Sequence, residues 1–169
     1  MKGMAWGGAW ISFLTVALLG LKSGWAVSPP PAAAPEPYAP GLGDFMTAYV
    51  QPHHVKLWFA GIAGNWKLAA YEANELDETF DDVVTYQSSW HDLPIGKLVE
   101  TLIRPQIKRV GAAIAAKDVT QFKSVYADLN AACNRCHRTA AHEFIEVVIP
   151  ASNPYADQNL GSEHMKPQP

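Results

Sequence analysis

DVTQFKSVYADLNAACNRCHRTAAHEFIEVVI, residues 118–149, is the stretch on which the fold of this chain turns. Asp118 is placed to cap a helix, and Gln121 stands in the capping-box position three residues later. Phe122, Val125, Leu129, Ala132 and Cys136 then recur at helical spacing, and Pro150 ends the run. The pattern predicts a helix from Asp118 to Ile149.

Upstream, three more stretches carry the same period. Residues 94–116 place Leu98, Leu102, Ile107, Val110 and Ile114 on one face; Asp92-Leu93-Pro94 supplies a cap, and Pro105 predicts a kink or break. Residues 66–87 carry Leu68, Ala69, Ala73, Leu76, Phe80 and Val83. The other side of that helix is acidic, with Glu72, Glu75, Asp77, Glu78, Asp81 and Asp82. Residues 44–63 form the first helix, capped by Asp44 and kinked at Pro52, with Gly61 and Gly64 weakening its end. No β alternation and no internal repeat appears. Four helices with short connections predict an all-α fold, an antiparallel four-helix bundle over residues 44–150.

The ends read differently. Met1-Lys2, the apolar run Ala9 to Leu21 and the small residues around Trp25 make residues 1–26 a signal peptide, cleaved after Ala26. The apolar run is shorter than the roughly 20 residues of a membrane-spanning helix, although an uncleaved anchor is the alternative. Residues 27–43 are a Pro/Ala-rich linker, and residues 151–169 an irregular tail. The domain is therefore expected in the periplasm. A net charge of −3 over 169 residues offers no basic field for nucleic acid.

Cys133-Asn134-Arg135-Cys136-His137 is CxxCH, the attachment signature of a covalent haem. Residues three apart share a helix face, so both sulfurs reach the vinyl groups of one macrocycle, and His137 is held beneath the iron as proximal ligand. Three readings compete. A thioredoxin-like CxxC belongs at the start of a helix after a strand, and no strand precedes this one. A structural zinc needs further ligands, for which only His142 or His164 offers itself, at an unconvincing spacing. A plain disulfide leaves His137 unexplained.

A helical bundle with CxxCH on its last helix resembles the class II cytochromes, the cytochrome c-prime and cytochrome c556 group. The likeness covers Asp44 to Ile149; its specific part is Cys133 to His137 together with the helix order. It implies one covalent haem c in a four-helix bundle, often a homodimer through the first two helices. The chain departs from that pattern at Ala141, where a basic residue is common, and in a helix that continues well past the motif. The stretch from His54 to Gly61, with Asn65-Trp66 and Leu68 to Glu72, is also similar to a group of exported bacterial proteins from which no activity carries over.

In an antiparallel bundle the first helix faces the last and supplies the distal side of the iron. Projection places His54 opposite Lys56 and Lys67, beside Trp58 and Gly61, making it the foremost distal candidate; His53 and Met46 are alternatives, and Tyr49 is a weaker one. Gly61 lets a flat ring approach the backbone. The plainer reading of His54 is a hydrogen-bonded core residue. Trp58, Trp66, Tyr71 and Phe80 read as core before haem wall. Arg104, Arg109 and Arg135 are candidates for haem propionates, with exposed surface the default. The acidic side of the second helix reads as solvated or as a dock for a basic redox partner, and His142 as exposed.

These readings lead to a monohaem electron carrier that is not an enzyme and works with a redox partner protein. The second expectation is a five-coordinate haem protein binding a small gas. The third is a haem-free helical module whose CxxC is redox-active or holds a metal.

Overall fold

The computed structural model describes residues 38–161. The signal peptide, most of the linker (residues 27–37) and His164 lie outside these residues. What is described is all-α. Its one trace of β pairing is a single bridge between Trp90 and Leu93.

Each proline inside a helix leaves the same mark. A short helix α1 (Leu42–Asp44) runs into a π-helical stretch, Phe45–Val50, and then into α2 (Gln51–Ile62), with Pro52 in its first turn. Likewise α4 (Ile95–Leu98) runs into a π-helical stretch, Val99–Ile103, and then into α5 (Arg104–Ala116), with Pro105 in its first turn. Proline has no N–H and crowds the carbonyl four residues back. Widening the preceding turn keeps the helix going, so neither proline breaks it.

α3 (Trp66–Tyr86) is capped by Asn65, whose side chain accepts from the Leu68 N–H. α6 (Val119–Thr139) is capped by Asp118, whose carboxylate accepts from Gln121 N–H. Three helices end alike. Gly64, Lys117 and Ala141 take positive φ after α2, α5 and α6. In each case the next residue's N–H donates five residues back: Asn65 to Ala60, Asp118 to Ala113, His142 to His137. This is the Schellman closure.

The ending at Ala141 corrects the expected reach of the last helix. α6 stops at Thr139 and not at Ile149. Beyond it the chain reverses and residues 143–149 run back beside the helix.

α2 packs on α3, α5 on α6 and on α3, and α2 on α6. The core between them holds Leu57, Trp58, Leu76, Phe80, Val83, Val99, Ile103, Val110, Phe122, Tyr126 and Leu129, all buried. Gly61 admits a flat ring, as its position suggested, but the ring is that of Phe122. A Cβ on Gly61 would stand 2.1 Å from it. Residues 150–161 are irregular yet packed. Leu160 is buried, the Asn65 amide donates to the Gly161 carbonyl, and Lys56 lies over the Tyr155 ring.

Candidate haem-attachment site

The last turns of α6 carry Cys133, Cys136 and His137, all half-buried. The two cysteines are free thiols. Burial, with the neighbouring Cys136 adding to it, pushes the Cys133 thiol up to about 12. Burial likewise raises Cys136. Both stay protonated at neutral pH. A redox dithiol draws its reactivity from a stabilised thiolate, usually at a helix N-terminus; this pair is at the opposite end of its helix.

His137 is fixed by a backbone group. Its Nδ1 lies 2.8 Å from the Ile145 carbonyl. A carbonyl only accepts, so Nδ1 carries the proton and, in the neutral ring, Nε2 keeps its lone pair. That is the tautomer a metal-ligating imidazole needs. Ile145 comes from the returning segment, which also exposes Phe144, Val148 and Ile149 beside the motif.

Three and seven residues before Cys133 on α6 stand Asn130 and Tyr126, both buried. Asn130 Oδ1 is 2.7 Å from His54 Nε2; the Tyr126 hydroxyl is 3.0 Å from His54 Nδ1 and 2.9 Å from the His54 carbonyl. Burial lowers the His54 pKa from 6.5 to about 4, the bond to Asn130 opposing the shift. The ring is therefore neutral at pH 7. It donates from Nε2 to Asn130, while the Tyr126 O–H is shared between Nδ1 and the His54 carbonyl. Burial and then the nearby Cys133 raise the Tyr126 hydroxyl well above its ordinary value.

So the four distal candidates fall in different places. His54 is a core histidine with both ring nitrogens engaged, and an iron would have to displace Asn130 or Tyr126. His53 Nδ1 is 2.7 Å from a carboxylate oxygen of Glu72. Tyr49 is exposed, and Met46 is half-buried against the core.

Glu72 is itself a correction. Its place in the sequence puts it on the acidic side of the helix, expected to be solvated or to dock a basic partner, yet it is buried beneath His53. Arg104 is no propionate partner: it binds Asp77 at 2.6 Å, Glu100 at 2.7 Å, and Asp81. Arg109 pairs with Asp128. His142 is half-buried between Trp90 and Phe144. Among the described residues no cluster of three or more His, Cys, Asp or Glu could hold a metal ion.

A covalent haem suits the donor set. Two unbridged thiols stand three residues apart, next to an imidazole with its Nε2 lone pair kept. The Asn130 Nδ2 group is buried without a hydrogen-bond partner one turn before Cys133. An orphaned donor of this kind costs roughly 1–3 kcal/mol. No protein-family model matches the chain, and no curated protein or solved structure matches it.

Proposed function

We propose that this chain is a periplasmic monohaem c-type cytochrome and an electron carrier, built as an antiparallel four-helix bundle of the cytochrome c-prime kind. The observation that carries the reading is the state of the motif: free Cys133 and Cys136, and a His137 whose Nδ1–H is committed to the Ile145 carbonyl. The haem would be held by thioether bonds to both sulfurs and by Nε2 of His137, and would supply a one-electron couple at iron. The chain's part is to keep the imidazole in one tautomer and orientation, to surround the site with apolar side chains, and to keep the thiols protonated. Export rests on residues 1–26; among the described residues no helix is long and apolar enough to cross a membrane.

The bundle reading draws on the order of contacts between α2 and α6. His54 meets Asn130 and Tyr126, and Trp58 meets Tyr126 and Phe122. Position rises along one helix as it falls along the other. Eight residues before His54 is Met46; seven residues after Asn130 is His137. Carried on at that register, Met46 would lie near the level of His137, and its thioether, which makes no hydrogen bond, is the sixth ligand favoured over the doubly engaged His54.

Absorption spectra of the exported protein test the assignment. An electron carrier has sharp reduced bands that carbon monoxide does not shift, and Met46→Ala makes it bind carbon monoxide. A wild-type spectrum that shifts with carbon monoxide would replace electron transfer by gas binding.

A further inference from the structure

Asn134 stands between the cysteines at a position that CxxCH leaves open to any residue. The residue is half-buried, and both the oxygen and the nitrogen of its amide are engaged. The Val147 N–H donates to Asn134 Oδ1 at 2.7 Å, and Asn134 Nδ2 donates to the Val147 carbonyl at 2.8 Å. Both bonds go to the backbone of one residue, thirteen positions away. A side-chain amide carries an acceptor and a donor side by side, which is what the C=O and N–H of one residue require. Aspartate matches only half of that pair, and alanine none.

The clasp closes a loop in which little else holds the chain. α6 ends in the Schellman turn at Ala141, the Ile145 N–H donates to the His142 carbonyl at 2.9 Å, and Phe144, Ile145 and Val148 are exposed. Apolar burial therefore does little to hold this segment. Ile145 lies between the His142 turn and the Val147 clasp, and its carbonyl accepts the His137 Nδ1–H.

We propose that Asn134 is a positioning residue for His137: by clasping Val147 it holds the Ile145 carbonyl against Nδ1 and so keeps Nε2 as the free, ligating nitrogen. The inference rests on the haem reading for its purpose but not for its test. Without the clasp the returning segment detaches, and the ring loses the partner that selects its tautomer.

Nitrogen-15 NMR of the imidazoles, on the full chain made without haem attachment, reads the tautomer directly. In the neutral ring of the wild type the proton is on Nδ1. Asn134→Ala should move it toward Nε2, the tautomer an unconstrained histidine prefers, with the far-ultraviolet circular dichroism unchanged. Asn134→Asp keeps the bond from Val147 N–H and should give a mixture; it also serves if the alanine variant fails to fold. A proton that stays on Nδ1 in both variants, or one on Nε2 in the wild type, overturns the proposal. The failures separate cleanly. A wild-type protein that takes up no haem removes the haem reading, while the tautomer result still decides whether Asn134 positions His137. In the haem-loaded protein, Asn134→Ala should raise the reduction potential at unchanged haem content, because an imidazole without its Nδ1–H partner is a less basic ligand, and mere loss of stability would not do this.

Discussion

His54 takes up a proton near pH 6.5 in an unfolded chain and only near 4 in the folded one, because burial disfavours its charged form. Above pH 6.5 both states are neutral there, and its contribution to stability is complete. Between 6.5 and about 4 the unfolded chain gains a proton that the folded chain refuses, so stability falls with pH by up to about 3 kcal/mol. Urea unfolding at a series of pH values should show that loss, and His54→Gln should flatten the slope in the same window. The thiols make a second residue-level prediction. With Cys133 held near 12 and Cys136 raised, the haem-free protein should react with iodoacetamide at pH 7 far more slowly than a free cysteine does. Labelling as fast as that of the free amino acid would restore the redox-dithiol reading.

At the level of the element, the end of α6 explains why the sequence misled. Gly64 announces the stop of α2 because glycine takes positive φ without strain. Ala141 adopts the same left-handed geometry with a Cβ, at a cost of roughly 1–2 kcal/mol, and nothing in its side chain says so. The apolar residues from Phe144 to Ile149 continue a plausible helical pattern, and only Pro150 looks like a terminator. Ala141→Gly should thus stabilise the protein by about 1 kcal/mol, read as a raised urea midpoint at unchanged slope. Asp118 was readable as a cap because the side chain that makes the bond also names it. Pro52 and Pro105 were readable as disturbances, but a widened turn in place of a break depends on the packing of the whole helix.

Across the whole molecule, periodicity carried most of the fold. The apolar positions from Ala69 to Val83 and from Ile107 to Ile114 are the buried ones, since one helix face must meet the core whatever the neighbour. The side-chain partners across those helices were not legible. A projection sees one helix at a time, so it put Glu72 with the other acidic residues and could not place His53 above it. It found His54 facing inward but not the Asn130 and Tyr126 that occupy its nitrogens. The attachment motif was legible because its chemistry is local. The Ile145 carbonyl and the Asn134 clasp were not, since they need the chain to turn back at Ala141.

The central claim is that Cys133 and Cys136 carry a covalent haem. The most direct test is the mass and visible spectrum of the protein exported with haem-attachment machinery, taken after denaturation and acid–acetone extraction. Retention of one haem per chain, lost when both cysteines become serine, is the predicted result; a colourless chain at the mass of the polypeptide alone would contradict it.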